Sequence, residues 1–292
     1  LNYITLICEK FIQKGIKLVI NTKHIKILEI QNTKFTREDY ILLATNEINI
    51  LKHVDAFLGI RNNKNSNKKP LNKTQRDLLL KYYINPVHND FRNNNLKWLY
   101  FRWPNSNLFG NSQQNLVNYI NASTLNYMTF KNLMQPLKEL IENTKIVSIK
   151  TKETDIVFSI KNIASYFCIG KHNIPDGEVH TSPIINSVNG VIKFNTPSTY
   201  QGIYFENIEL KIKNGEIIFA KAKTLNQTNK LNEIINHDIG SKFFGEFSFG
   251  LNPYILESVN DILIDEKMHG SIHFAIGNAY PFSDNGNRSS IH

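Results

Sequence analysis

The alternation of apolar and polar residues changes character near residue 145. Before that point apolar positions recur at helical spacing between Asn- and Lys-rich breaks. Thr36-Arg-Glu-Asp predicts a helix start, because a Thr side chain accepts an N–H of the first turn and early acids suit a helix N-terminus. That helix is expected to run towards Phe57. Gly15–Asn21 (GIKLVIN) is a short apolar run that predicts a strand, and Asn62–Asn72 is a polar break. From Thr129, TFKNLMQPLKELIENT places Leu133, Leu137, Leu140 and Ile141 at helical spacing. Pro136 is expected in its first turns, where a missing N–H costs least.

After residue 145 the period becomes two. IVSIKTKETDIVFSIKN and VNGVIKFNTP both alternate as half-buried strands do. In GIYFENIELKIKNGEIIFAKAK, Ile208, Leu210 and Ile212 alternate with charged residues up to Asn214-Gly215, a type I′ turn dipeptide. Apolar residues resume at Ile217–Phe219, and Leu231 to about Phe244 reads as a helix. The expected architecture is α/β or α+β: a helix-rich α/β domain over 1–145, then a strand-rich α+β catalytic domain over 146–292.

Composition narrows the classes. The chain has 292 residues, 41% hydrophobic and 20% charged, as a globular protein does. No run approaches the roughly 18 apolar residues of a membrane helix. The opening LNYITLICEKFIQKGIKLVI is broken by Glu9, Lys10, Gln13 and Lys14 and lacks the marks of a signal peptide. It does not begin with Met, so the true N-terminus is expected to lie outside it. Cys8 and Cys168 sit in apolar contexts and read as free thiols of a reducing cytoplasm. The net charge of +9 raises a polyanion partner. However, the lysines are scattered, and the one dense patch, Arg61–Arg76, has no aromatic to stack on bases. It reads as a solvated loop, and no nucleic-acid partner is expected.

The residues able to do chemistry gather in four clusters after the boundary. NIPDGEV is a Pro-Asp-Gly turn that delivers Glu178 beside a strand. In DIGSKFFGEFSFG, Glu246 stands among aromatic and small residues, where a carboxylate needs a cationic partner or a metal. DEKMHGSIHFAIG places His273 at the head of an apolar strand-like run, where a satisfied core histidine is the plainer alternative. Last come Ala279-Tyr280-Pro281 and Asn287-Arg-Ser-Ser-Ile-His292. Carboxylates and imidazoles in this mix suit zinc, cobalt or manganese. No HExxH, GxSxG, P-loop or GxGxxG motif is present.

In this order the clusters resemble the metallo-aminopeptidase family of the aminopeptidase T and aminopeptidase S type. That family carries a PDGEV turn, a D-x-G-x-x-x-x-GE segment, a DEK-x-x-G-[ST]-x-H-x-A-x-G segment, a Y-P pair and a closing N-x-S-x-x-H-x-D. Here they stand as NIPDGEV, DIGSKFFGEFSFGLNP, DEKMHGSIHFAIG, AYP and NRSSIH. MQPLKELIENTKIVSIKTKETDIVFSIK is also similar, and the earlier residues match mainly through QKGIKLVIN. Three features depart from the pattern: a shorter N-terminal half, His180 where an aromatic is usual, and no residue after His292. The family's Asp two residues further on leads to the expectation that the protein continues beyond His292.

The resemblance implies an intracellular, dimeric exopeptidase that removes N-terminal residues from peptides with two divalent ions, whether zinc, cobalt, manganese or magnesium. It implies metal-ligand roles for Glu178, Glu246, His273 and His292, and an active-site role for Tyr280. Glu246 is expected to take a proton from the attacking water and Tyr280 to hydrogen-bond the oxyanion. Glu266 and Lys267 read either as groups that orient the ligands or as a surface ion pair. The alternative function is a catalytically impaired relative that serves as a binding or assembly module.

Overall fold

A computed structural model describes residues 2–22, 25–61, 71–104, 112–200 and 202–291. They fall into two compact units, one of residues 1–57 and 71–97, the other of residues 58–70 and 98–292. The change of period near residue 145 falls inside the second unit.

The first unit is helical. Its central helix, Arg37–Leu51, starts where Thr36 predicts: Thr36 Oγ1 accepts from the Asp39 N–H, and the Asp39 carboxylate accepts from the Thr36 N–H. The helix stops at Leu51, short of Phe57, which lies in a strand. Tyr40, Ala44 and Leu51 pack against Tyr83 and Val87 of a π-helical run, Leu80–Arg92. Tyr83 Oη donates to Glu47 Oε2 at 2.5 Å. Gly15–Asn21 is not a strand. It follows the helix Asn2–Gln13 as open chain, with Val19 and Ile20 exposed, because no neighbouring strand among the described residues takes up its backbone groups.

The strands, in chain order, begin with β1 (Ala56–Arg61), β2 (Lys97–Arg102), β3 (Ile146–Lys150), β4 (Asp155–Ser159) and β5 (Tyr166–Cys168). There follow β6 (Asn173–Ile174), β7 (Glu178–Thr181), β8 (Asn189–Lys193), β9 (Ser198–Tyr200) and β10 (Ile203–Phe205). The last are β11 (Glu209–Lys213), β12 (Glu216–Lys221), β13 (Phe244–Gly250) and β14 (Ser271–Ile276). They form a five-stranded antiparallel sheet, β12-β11-β8-β4-β3, and a four-stranded antiparallel sheet, β14-β13-β7-β5. A small sheet β1-β2-β6 and the ribbon β9-β10 complete the set. The mixture of helices with largely antiparallel sheets is the α+β form of the expected class.

The predicted hairpin is present: Asn214 and Gly215 both take positive φ between β11 and β12, with Leu210 and Ile212 turned inward. The large sheets meet through aromatic rings. Phe158 of β4 lies edge-on to Phe247 of β13 at 4.9 Å and to Phe274 of β14 at 5.5 Å. The helix Tyr127–Asn143 closes this core with Phe130, Met134 and Ile141, and Leu137 is partly buried beside them. Leu133 and Leu140 point outward, and Pro136 stands mid-helix instead of in the first turns. Asn126 caps this helix earlier than Thr129 suggested. A further helix runs over Leu225–Ile235, not from Leu231 to Phe244, since Thr224 and Gln227 form a capping box at its start.

One buried ion pair braces the smaller core of this unit. Arg102, at the end of β2, pairs with Asp261, and both are about as buried as the core aromatics. The Tyr119 hydroxyl donates to the Arg102 carbonyl. Arg102→Met leaves Asp261 as an uncompensated buried charge and is expected to cost about 3–5 kcal/mol. Chemical denaturation of the variant beside the parent measures this, and a loss under 1 kcal/mol would show that the pair is not structural.

Candidate metal centre

The four-stranded sheet has two unlike faces, because successive side chains of a strand point to opposite sides. Phe167, Val179, Phe247 and Phe274 enter or line the apolar core. Their neighbours Tyr166, Cys168, Glu178, His180, Ser248 and His273 share the other face. Register aligns these neighbours in rows. Tyr166 pairs with His180, His180 with Ser248, and Ser248 with His273. Cys168 pairs with Glu178, and Glu178 with Gly250. Glu246 shares this face by ordinary alternation with Ser248, and the irregularity in the β13–β14 pairing between Phe244 and Glu246 turns Phe244 into the core.

The turn before β7 is fixed from several directions. Gly177 takes φ +130°, and a Cβ there would crowd Asn252 and Phe130 at 3.1 Å, so glycine is required. The Asp176 carboxylate accepts from the N–H groups of Gly170 at 2.7 Å and Gly177 at 3.0 Å. The Asp176 N–H donates to the Tyr127 hydroxyl, and Asn252 Nδ2 donates to the Asp176 carbonyl. Glu178 therefore enters β7 at a set position. It is buried, not exposed as an ordinary turn glutamate would be.

Glu178, Glu246 and His273 converge. One donor atom from each lies within 4.8 Å of the other two. His273 Nε2 is 3.4 Å from Glu178 Oε2 and 3.8 Å from Glu246 Oε1. Both ring nitrogens of His273 are buried without a hydrogen bond. Buried polar atoms ordinarily have a partner. Two carboxylates and an unsatisfied imidazole within one coordination span suit a divalent cation, whose ligand atoms lie about 2.0–2.2 Å from it.

Lys267 is the counter-cation of the site. It is 1% exposed, so it is not half of a surface ion pair. Its Nζ donates to Glu178 Oε1 at 2.5 Å and to Glu266 Oε2 at 2.9 Å, and lies 4.0 Å from Asp176 Oδ1. Asp176, Glu178, Glu246 and Glu266 thus set four carboxyl groups against one ammonium. Burial would raise the pKa of Glu178, but Lys267 and then His273 outweigh it and hold the carboxyl below its usual range. For Asp176 burial wins, reinforced by Glu178, and the carboxyl is pushed up to about 7 despite Lys267. Burial alone would lower His273, yet Glu246 and Glu178 keep it above the usual imidazole range. Ser248 Oγ has two acceptors for its one proton, Glu178 Oε2 at 3.2 Å and the Val179 carbonyl at 3.1 Å.

Tyr280 stands at the start of the short turn Pro281–Ser283, and its ring centroid is 5.3 Å from that of His180. The residue as a whole is 39% exposed, but desolvation about its phenol, then the charges of Glu246 and Glu266, act to raise the pKa, and a phenol is in any case a donor at neutral pH. His180 is buried, lowered by desolvation, and its Nδ1 lies 3.3 Å from Ser283 Oγ. Of the residues singled out in the sequence, Glu178, Glu246 and His273 are brought together, with Tyr280 electrically close; His292 lies outside the described residues. Sequence reasoning passed over Cys168 and Asp176, which with Glu178 form a second group of donor atoms within 4.8 Å. Asp176 was visible in PDGEV but read only as a turn residue, and Cys168 only as an apolar thiol.

The chain is similar to known proteins. A curated aminopeptidase AmpS of Bacillus subtilis (strain 168) is 36% identical over 122 residues, 40% of this chain and 28% of its own. Aminopeptidase 2 of Geobacillus stearothermophilus is 30% identical over 113 residues, 37% of this chain and 26% of its own. The matched stretches thus span about a quarter of those relatives' length. The solved structure of wild-type AmpT from Thermus thermophilus superposes with a TM-score of 0.81 at 16% identity, over 100% of this chain and 83% of that one. That likeness establishes the fold. The model of the thermophilic metalloprotease family M29 matches residues 1–292, and the chain belongs to that family of metalloproteases.

Proposed function

We propose that the chain is a metal-dependent aminopeptidase whose centre is built on Glu178, Glu246 and His273, with His292 as a further ligand. The observation that carries this reading is the cluster itself: two buried carboxylates around an imidazole whose ring nitrogens lack hydrogen bonds, in a metalloprotease family. The names of the curated relatives supply the exopeptidase part. The resemblance adds two ions per chain, pairing of subunits and a cytoplasmic location. Among the described residues no helix is long and apolar enough to cross a membrane.

Divalent ions at this centre would activate water and polarise the scissile carbonyl. The chain's own groups do the rest. Glu246 accepts the proton of the attacking water. The Tyr280 hydroxyl, kept protonated, donates to the oxyanion as the carbonyl becomes tetrahedral. Lys267 ties back Glu178 Oε1, so Glu178 Oε2 stays turned towards His273. The surplus of carboxyl groups over Lys267 also suits the free ammonium of a peptide's first residue, which confines cleavage to the N-terminal bond. His180 and Ser283 support the ring of Tyr280 from the β7 side.

Release of the first residue from short peptides tests the activity. It is expected to vanish in chelator and to return with Co²⁺, Zn²⁺ or Mn²⁺; no release in any metal would overturn the reading. Tyr280→Phe is expected to lower kcat by about 10²–10³-fold with little change in KM, the effect of losing one oxyanion donor. Equal kcat in steady-state assays would remove Tyr280 from the chemistry. Lys267→Met strips three carboxyl groups of their ammonium. In chelator it is expected to lose about 3–5 kcal/mol of stability in denaturant titration, and added Zn²⁺ should recover part of that loss. A variant as stable as the parent without metal would refute the electrostatic account.

A further inference from the structure

Asp238 has no part in the chemistry above, yet both oxygens of its carboxylate accept hydrogen bonds from Ser241, Ser289 and Ser290. Oδ1 accepts from the Ser241 N–H at 2.8 Å and from Ser289 Oγ at 2.8 Å. Oδ2 accepts from the Ser290 N–H and from Ser290 Oγ, each at 2.8 Å, and from Ser289 Oγ at 3.0 Å. These donors outweigh partial burial and hold the carboxyl down to about 2. Both oxygens are occupied, so Asp238 is not a spare ligand.

Its partners lie at two separate places in the chain. Ser241 belongs to the turn that leads into β13 and Glu246. Ser289 and Ser290 belong to the arm Asn287–Ile291, which has no helix or strand to order it. The same arm is tied to the segment between His273 and Tyr280. The Asn278 N–H donates to the Ile291 carbonyl at 2.7 Å, and Asn287 Nδ2 donates to the carbonyls of Gly240 at 2.9 Å and Gly277 at 2.5 Å. Gly277 takes φ +98°, and any Cβ there would strike the Ile291 carbonyl. Ile291 itself is buried in the main core.

We propose that Asp238 is a positioning residue for the metal centre. Its carboxylate pins the arm Asn287–Ile291 against the entry to β13 and the exit of β14, and so holds Glu246 and His273, which those strands carry, in place for an ion. This rests on the metal reading above. Strand ends already braced by the arm give up little conformational entropy when their side chains coordinate, whereas loose ones must be ordered by the metal. Groups that orient ligands without touching the ion typically change affinity by about 10–100-fold.

The test compares the parent chain with Asp238→Ala, Asp238→Asn and, as a control, Asp284→Asn, whose carboxylate bonds Arg288 within the arm but ties it to nothing else near the centre. Co²⁺ binding by calorimetry and amide exchange at Ser290 and Ile291 in chelator are measured for each. Asp238→Ala is expected to weaken Co²⁺ binding about tenfold or more and to speed exchange at both amides before any metal is added. Asp238→Asn, which retains one acceptor oxygen and folds more safely, should fall between it and the parent, and Asp284→Asn should match the parent. If exchange quickens while Co²⁺ affinity holds, or if neither moves, the positioning role is overturned. A parent chain that binds no Co²⁺ would instead sink the metal reading itself.

Discussion

A period of two governs the sheet β14-β13-β7-β5. Val179, Phe247 and Phe274 must enter the core, so Glu178, Ser248 and His273 must stand on the opposite face. A slip of one residue would turn the ionisable set into the apolar core and the aromatic set out of it. The rings that pack Phe158 onto Phe247 and Phe274 therefore fix more than stability. They fix which strand positions can meet: Glu246 and Ser248 keep one face by strict pairing, and the irregularity beside Glu246 turns Phe244 into the core.

Electrostatics follows from that geometry. Four carboxyl groups gather where water is scarce, answered by the Lys267 ammonium and, at longer range, by the His273 imidazole. Burying charges is costly unless they are paired. The imbalance shows in opposite shifts: Glu178, beside the ammonium, is held down, while Asp176 is pushed up to about 7. A cation at Glu178, Glu246 and His273 would offset the imbalance and give His273 a ligand bond in place of its long contacts to the two carboxylates.

Much of the site was legible because its motifs are local. The Pro175-Asp176-Gly177 turn, the Asn214-Gly215 hairpin and the strand that begins near His273 depend on neighbouring residues, and each is where the residues place it. What was not legible depends on partners distant in sequence. Leu133 and Leu140 fit a helical stripe, but the core lies on the Phe130–Met134–Ile141 side. Gly15–Asn21 looks like a strand until a partner strand is required of it. Lys267 reads as half of a surface pair because nothing in DEK reveals that Asp176 and Glu178 close over it from another strand.

The most direct measurement is the anomalous scattering of a crystal soaked in Co²⁺ or Zn²⁺. The account requires an anomalous peak within coordination distance, about 2.0–2.2 Å, of a His273 ring nitrogen and of carboxylate oxygens of Glu178 and Glu246. Ions found only elsewhere, or a hydrogen-bonded His273 with no peak beside it, would contradict the account.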